Sequence, residues 1–275
     1  MHSIEYNREE FKVNISNVCI IGADNRMDYI AQRFYSIDFD IYREIENSNS
    51  ESLIIISPPV NEQVTKQILP YLKTGQVIYG GVVSNRLQHE CELLNILLFD
   101  YLKWDHVTEA NAKLTANGII KTAISNKAVL EESNCLVTGY GFCGKALAIA
   151  LKQLGANVDV MVRRRELCDI IEENGYGFVD INDKLDSKLK KYSYVFNTVP
   201  ACILDSNLLD LFSKNVMIFD IASGNGGTDF EYCNSNGIFA VQNLGIPGKE
   251  YPKEAGEIIA DAIIDSLNLE QLSVN

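Results

Sequence analysis

The sequence has no apolar run long enough to cross a membrane and no apolar leader at its start. A membrane span needs about 18 or more residues that are mostly apolar. The opening residues, MHSIEYNREEFK, carry acidic groups and lack the apolar core of a signal peptide. We therefore expect a cytoplasmic protein that does not bind a membrane.

Cysteine and histidine do not occur in patterns that would build a site. The seven cysteines are scattered, and no two have the spacing C-x-x-C. We therefore expect neither a disulfide framework nor a metal site. The three histidines are His2, His89 and His106, so we do not expect a histidine and carboxylate pair as the acid and base of a reaction.

Basic residues are fewer than acidic ones, with 24 Lys and Arg against 37 Asp and Glu, so the formal net charge is −13 at pH 7. Such a surface repels polyanions, so we expect no nucleic-acid partner. Any bound phosphate needs a local basic site. The single run of three basic residues is Arg163, Arg164 and Arg165.

The length of 275 residues favours two domains, since domains typically have about 100 to 200 residues. Short apolar runs at 18–22, 53–57 and 76–81 alternate with helix-like segments. This alternation is typical of a parallel sheet with helices on both faces. We predict an N-terminal α/β domain over residues 1–112.

The second half shows the same alternation. We predict that 105–127 is a strand end and loop leading into a linking helix, and that 113–250 is a doubly wound, Rossmann-type domain. The segment 251–275 has the apolar spacing of one helical face, and we expect this helix to pack back toward the N-terminal domain. The strand-like runs of the second half are 134–139, 157–164, 193–200, 215–223 and 237–242.

A G-x-G-x-x-G pattern follows the first of these strands and opens a helix, which is the setting of a dinucleotide-binding loop. Gly139 permits a tight turn, Gly141 lets the backbone approach a pyrophosphate, and Gly144 lets the helix lie close to the sheet. A glycine turn that binds nothing is the alternative. The predicted loop consists of Gly139, Tyr140, Gly141, Phe142, Cys143 and Gly144.

The second strand of this unit ends in Arg163, Arg164 and Arg165 instead of the acid that holds the ribose 2′-hydroxyl in NAD enzymes. Guanidinium groups can pair with a 2′-phosphate, so we predict NADP(H) as the cofactor, with NAD(H) possible. A solvated basic cap on the next helix is the alternative interpretation.

Two further loops follow the carboxyl ends of strands, where ligands bind in a doubly wound sheet. We predict that both contact the cofactor, although their polar residues could simply form turns. The candidates are Asn197, Thr198, Val199 and Pro200 after one strand, and Ala222 and Ser223 after the next.

The segment 220–263 resembles the C-terminal part of the A subunit of dipicolinate synthase. It contains D-x-A-S-x-x-G-G-T-D-F at 220–230, then G-x-P-G at 245–248 and P-K-x-A-G at 252–256. The resemblance extends to FNTVP, to the glycine loop and, more weakly, to GADNR at 22–26.

This resemblance implies a sporulation enzyme that oxidises a dihydrodipicolinate-type ring together with a second, flavoprotein-like subunit. It also implies two doubly wound domains similar to those of D-2-hydroxyacid dehydrogenases. We expect the N-terminal domain to be flavodoxin-like, and a homo-oligomer is possible. The family's segment N-x-x-P-T-A-E-G corresponds to residues 111–118, where Leu114 replaces the proline and Asn117 the acid. An acid that took part in proton transfer would be missing here.

A dicarboxylate substrate needs groups that bind its carboxylates and accept a proton. Lys253 is a candidate clamp or base, or else an exposed lysine. Thr228 and Asp229 follow paired glycines, the second of them Gly227, whose backbone N–H groups could converge on an anion of the substrate, and Asp229 is a candidate catalytic residue or a helix cap.

Three further residues are candidates for substrate binding. Thr115 and Asn117 are predicted at the start of the linking helix, where either a carboxylate site or a plain cap is possible. Arg26 could reach a cleft between the domains and bind the substrate, but we expect it on the surface. A non-catalytic nucleotide-binding subunit, or an oxidoreductase for another small carboxylate, remains an alternative function.

Overall fold

A computed structural model describes residues 15–224 and 226–267, with only the backbone of residues 186 and 187. The chain divides into two compact units. The first comprises the residues up to Val107 together with those from Pro252, and the second comprises Thr108–Tyr251. The domain boundaries predicted from the sequence fall after residues 112 and 250.

The first unit contains a five-stranded parallel sheet. Its strands are β1 (Asn17–Ile21), β2 (Asp40–Tyr42), β3 (Ser52–Ile56), β4 (Val77–Gly80) and β5 (Leu97–Asp100). They lie in the order β2-β1-β3-β4-β5, which is that of flavodoxin-like folds. The prediction of a doubly wound N-terminal sheet is confirmed, although only three of its strands were apparent as apolar runs.

Both faces of this sheet are covered, as the unbroken apolar sequence of its central strand requires. Leu53 and Ile55 of β3 face one core, while Ile54 and Ile56 face the other. The helices of this unit are α1 (Arg26–Tyr35), α2 (Glu62–Ile68), α3 (Asn85–Leu93) and the C-terminal helix α10 (Pro252–Leu267).

Helix α10 packs against α1 within the first unit. Ile259 and Ile263 are fully buried with Phe34 in the core that these helices share. The closest approach is at Gly256, where an added Cβ would lie 2.7 Å from the carbonyl oxygen of Arg26. A larger residue at this position would push the two helices apart.

The second unit contains a six-stranded parallel sheet. Its strands are β6 (Asn134–Thr138), β7 (Asn157–Val162), β8 (Gly177–Asp180), β9 (Tyr194–Asn197), β10 (Met217–Asp220) and β11 (Phe239–Gln242). They lie in the order β11-β10-β9-β6-β7-β8. The direction of winding reverses between β6 and β9, as in Rossmann folds, so the predicted fold class is confirmed.

Helices cover this sheet on both faces. They are α5 (Phe142–Gln153), α6 (Cys168–Glu173), α7 (Ser206–Leu209), α8 (Phe230–Ser235) and α9 (Ile246–Glu250). Helix α5 begins directly after the first two glycines of the loop and buries Leu147, Ala148 and Leu151 against the sheet. Short 3-10 helices occur at Ile45–Asn47, Leu69–Tyr71, Tyr101–Lys103, Arg165–Leu167 and Asp186–Lys191.

The linking helix α4 (Asp105–Ser125) corrects one prediction. No proline or glycine occurs from residue 105 to 117, and alanine favours the helix, so the expected loop does not form. Thr115 and Asn117 therefore lie in the helix interior and not at its start. The Thr115 hydroxyl donates to the Asn111 carbonyl at 2.8 Å, and Asn117 is exposed. Among the described helices, none has the length and apolar character of a membrane span.

Candidate cofactor site

The glycine loop between β6 and α5 is closely packed at two of its three glycines. Gly139 has a φ of +87°, and an added Cβ would lie 2.7 Å from the hydroxyl oxygen of Thr198. At Gly144 an added Cβ would lie 2.2 Å from the carbonyl oxygen of Gly139. Contacts within the protein thus explain why glycine is needed at both positions.

Gly141 differs, because nothing in the described protein requires a glycine there. Its φ of −81° is open to any residue, and an added Cβ would have no neighbour within 4 Å. Gly141 precedes α5, and no side chain in the described part of the chain caps that helix. The first N–H groups of α5 therefore face open space, which is how a helix N-terminus binds a phosphate.

The other residues of the loop have separate environments. Tyr140 is buried, with the Lys145 ammonium 5.6 Å from the centre of its ring. Phe142 is 39% exposed, whereas Cys143 is partly buried and burial raises the pKa of its thiol. A thiol with a raised pKa is mostly protonated at neutral pH, so Cys143 is not an activated nucleophile.

A buried polar network joins the carboxyl ends of three adjacent strands. Thr138 ends β6, Asn197 ends β9 and Asp220 ends β10, and all three are fully buried. The Thr138 hydroxyl donates to the Asn197 side-chain oxygen, and the Asn197 amide donates to Asp220 at 2.9 Å. The network spans the switch point of the sheet, where ligands bind in this fold.

The Asp220 carboxylate is the centre of this network. Besides Asn197, it accepts hydrogen bonds from the Ala222 N–H at 2.8 Å, the Gly227 N–H at 3.0 Å and the Thr228 hydroxyl at 2.6 Å. These donors compensate the charge for its removal from water. Gly227 and Thr228 were predicted to face a substrate anion, but in this arrangement the anion that they bind is Asp220.

The same network holds the loop that follows β9. The Val199 N–H donates to the Asn197 side chain at 3.2 Å, and the Thr198 hydroxyl donates to the Thr138 carbonyl at 2.7 Å. An added Cβ at Gly227 would lie 2.2 Å from the Val199 carbonyl oxygen, so the two loops touch. The glycine loop and the loops that follow β9 and β10 therefore form one continuous edge. Of the remaining predicted cofactor contacts, Ala222 is buried, whereas Pro200 and Ser223 are exposed.

The three arginines after β7 are all exposed but not equivalent. Arg165 is paired with Asp180 at 3.5 Å and with Asp183 at 3.4 Å. Arg163 and Arg164 form no ion pair with any residue that the structure describes. They are the guanidinium groups open to an incoming phosphate. A cavity of about 340 Å³ adjoins this cluster and is lined by Asp183 among others.

A curated relative and solved structures resemble the chain. It is 32% identical over 189 residues to the A subunit of dipicolinate synthase from Bacillus subtilis, a match that covers 68% of this chain and 63% of the relative. The chain thus aligns with less than two thirds of that relative. The crystal structure of the corresponding protein from Bacillus halodurans matches with a TM-score of 0.81 and 26% identity, over 93% of this chain and 99% of that one. The chain is related to dipicolinate synthase A subunits. No family model matches it.

The relationship to dipicolinate synthase A subunits was predicted from the sequence and is confirmed. A more distant match is the apo-structure of D-lactate dehydrogenase from Escherichia coli, with a TM-score of 0.68 and 14% identity over 93% of this chain and 97% of that one. At this identity the match shows the fold alone. The chain therefore shares the two-sheet, Rossmann-type fold of that structure.

Two residues in the segments that resemble dipicolinate synthase A subunits were predicted as catalytic. Asp229 accepts the Tyr232 N–H at 2.8 Å and caps α8, which is the structural alternative predicted for it. Lys253 is exposed in the first turn of α10, in the first unit. A catalytic role for either residue stays a prediction.

Arg26 corresponds to the weaker GADNR similarity with the same family, and the expectation that it lies on the surface is wrong. Its side chain is only 12% exposed, and its Nη2 lies 2.6 Å from Asp24 Oδ2. Burial acts to raise the pKa of Asp24, but hydrogen bonds from Arg26 outweigh it and lower that pKa. The pair is therefore ionised at neutral pH.

Thr138 and Asp24 were not predicted as site residues, and Asp220 was predicted only as the strand end before Ala222 and Ser223. Each is a polar residue at or just beyond the end of an apolar strand, at the edge where ligands bind. That position was a usable signal for Asp220, which ends the apolar run MIFD. It did not show which backbone donors the carboxylate would bind.

We predict that Asp220→Asn destabilises the second unit by about 2 to 4 kcal/mol, because an amide would place N–H groups against the present donors. Thermal and urea unfolding should show the loss. Asp210→Asn is the matched control, since the exposed Asp210 carboxylate accepts the Tyr232 hydroxyl at 2.6 Å and pairs with Lys214 at 3.6 Å on the surface. Equal stability of the two variants would contradict a central role for Asp220.

Proposed function

We propose that the second unit binds NADP(H) across the carboxyl edge of its sheet. The observation that carries this proposal is the open space at Gly141, since the described protein gives no reason for a glycine there. A pyrophosphate at the N-terminus of α5 supplies that reason, because it would occupy the space that a side chain needs. Asn197, Thr198, Val199, Pro200, Ala222 and Ser223 are proposed to contact the remainder of the cofactor.

The preference for NADP(H) over NAD(H) rests on Arg163 and Arg164. Both are exposed at the end of β7, where the ribose 2′-position of a bound dinucleotide lies in this fold. Arg165 is already neutralised by two carboxylates. We therefore assign recognition of the 2′-phosphate to Arg163 and Arg164, and a supporting role to Arg165.

For the reaction we propose the oxidation of a dihydrodipicolinate-type ring to dipicolinate during sporulation, in the cytoplasm. The support is the relationship to a protein that is named as part of a dipicolinate synthase. The ring loses a hydride to the oxidised cofactor and a proton to a base, and it becomes aromatic. Because that relative is one subunit of a synthase, a partner protein is also expected, for which we propose a flavoprotein-like second subunit.

Because aromatisation supplies much of the driving force, the protein must mainly orient the ring and bind its carboxylates. Lys253 remains the proposed clamp or base, and Asp229 a further candidate for proton transfer. Asp229 Oδ1 is engaged as the cap of α8. Gly227 and Thr228 would act through their bonds to Asp220, which fix the edge that faces the substrate.

A second candidate function is a non-catalytic NADP-binding subunit. Two observations favour it. The second unit contains no histidine, and Asn117 stands on an exposed helix face where the family pattern has an acid. Such a protein would bind the cofactor and require its partner for any turnover.

The glycine loop generates a direct test. Gly141→Ala should leave the melting temperature of the free protein unchanged, because the new methyl group meets no described protein atom. It should weaken NADPH binding by about tenfold or more, since the methyl group takes the place of the pyrophosphate. Calorimetric titration with NADPH measures the change. Wild-type affinity in this variant would place the cofactor elsewhere.

Cofactor preference is tested with the double variant Arg163→Gln, Arg164→Gln. We expect NADPH to raise the melting temperature of the wild type more than NADH does, because a ligand of the native state stabilises it. The double variant should lose this difference and keep its response to NADH. Arg165→Gln is the control and should retain most of the preference. No shift with either dinucleotide would contradict the cofactor proposal itself.

The reaction is tested by supplying a dihydrodipicolinate-type precursor and NADP⁺ to the purified chain, alone and with the proposed second subunit. Formation of dipicolinate with stoichiometric NADPH, which absorbs in the near ultraviolet, is the expected result. Formation of dipicolinate that requires the second subunit and leaves the NADP⁺ bound to this chain unreduced would favour the non-catalytic alternative.

A further inference from the structure

The carboxyl edge of the first unit carries polar groups that have no role in the function proposed above. The strand order β2-β1-β3 places a switch point between β1 and β3, because the chain continues from β1 to one side and later crosses to the other. Ligands of such sheets bind outside the carboxyl ends of the strands at this point. The loops there are 22–25, between β1 and α1, and 57–60, after β3.

Arg26, at the start of α1, is a shielded arginine with one occupied edge. Asp24 Oδ1 accepts its Nε–H at 2.8 Å, and Asp24 Oδ2 accepts its Nη2–H at 2.6 Å. This two-point contact orients the planar guanidinium. Its Nη1 has no hydrogen-bond partner among residues 15–224 and 226–267, and it is not sealed from solvent. The second edge of the guanidinium is therefore available to an anion.

Ser57 lies at the matching position after β3. Gly22 has a φ of +116°, and an added Cβ would lie only 1.9 Å from the Ser57 hydroxyl oxygen. Glycine at position 22 is what allows the Ser57 side chain to stand between the two loops. The Ser57 hydroxyl makes no hydrogen bond within the part of the chain that the structure describes.

Tyr101 connects these groups. It is fully buried, and its hydroxyl donates to the carbonyl of Ile56, the residue before Ser57, at 3.0 Å. Burial raises the pKa of Tyr101, and the nearby Arg26 charge opposes that rise. Tyr101 therefore holds the end of β3, and Gly22, in the loop that leads to Asp24 and Arg26, lies against the Ser57 hydroxyl, so the two loops meet at one part of the edge.

We propose that this edge of the first unit is a carboxylate-binding site, in which Arg26 and Ser57 donate to one carboxylate of the substrate and Asp24 positions Arg26. A guanidinium with five N–H donors in a rigid fork can hold Asp24 on one edge and a ligand carboxylate on the other. This inference rests on the proposed function for the identity of its ligand, a planar pyridine dicarboxylate. The geometry of the site is independent of that identity.

The test is calorimetric titration of the full chain with dipicolinate, malonate and glutarate. We expect Arg26→Gln to weaken dipicolinate binding by about tenfold or more, and Ser57→Ala by about threefold. Arg33→Gln is the matched control, because Arg33 lies on the same helix and is paired with Asp261 at 2.7 Å on the surface. It should bind dipicolinate as the wild type does. The response to NADPH should be unchanged in all variants.

The positioning role of Asp24 needs a readout that loss of structure would not give. Asp24→Asn should weaken dipicolinate binding, and adding it to Arg26→Gln should cause no further loss, since both changes remove the same contact. Arg26→Lys, which keeps the charge, should be intermediate and should fold if Arg26→Gln does not. Additive losses would show that Asp24 does not act through Arg26.

The outcomes separate this inference from the proposed function. Unchanged dipicolinate affinity in both Arg26 variants would overturn the inference and leave the proposed oxidation intact. Binding of malonate or glutarate that depends on Arg26, without dipicolinate formation, would support the site and contradict the proposed reaction. A wild-type chain that binds none of the three dicarboxylates would overturn the inference.

Discussion

The buried charge of Asp220 is the constraint on which the second unit depends. A carboxylate removed from water must be compensated by donors, and here the donors come from the loop after β10 and from the end of β9. Asn197 in turn accepts a hydrogen bond from the Thr138 hydroxyl, which ties the network to the strand that leads into the glycine loop. Three loops are thereby fixed by one charge. The site is rigid because moving any one loop would leave a buried polar group unsatisfied.

The apolar sequence of the buried strands explains how much of the fold could be predicted. The fold was readable because buried parallel strands are continuous apolar runs, as in Ser52–Ile56, and because the glycine pattern appears between a strand and a helix. Short strands with little apolar sequence, such as Asp40–Tyr42 and Gly177–Asp180, gave no such signal. Their pairing with longer neighbours fixes them, and pairing is a property of the assembled sheet.

The site was less predictable than the fold for a related reason. Gly139 and Gly144 could be assigned from spacing alone, but the role of Gly227 depended on a carboxylate seven residues earlier. Arg26 was expected at the surface because arginines usually are, and only the fold shows Asp24 shielding it. The start of α4 was misplaced because residues from 105 were read as a strand end and loop, although no proline or glycine from 105 to 117 interrupts a helix there.

The arginine segment after β7 is free to vary in sequence. Arg163 and Arg164 are exposed and take no part in the Asp220 network, so their side chains can change without disturbing the three interlocked loops. Under the proposed function, cofactor choice is thus separated from the rigid part of the site. A protein built in this way can exchange one nicotinamide pool for another over evolutionary time by a few surface substitutions, while the edge that orients the chemistry stays as it is.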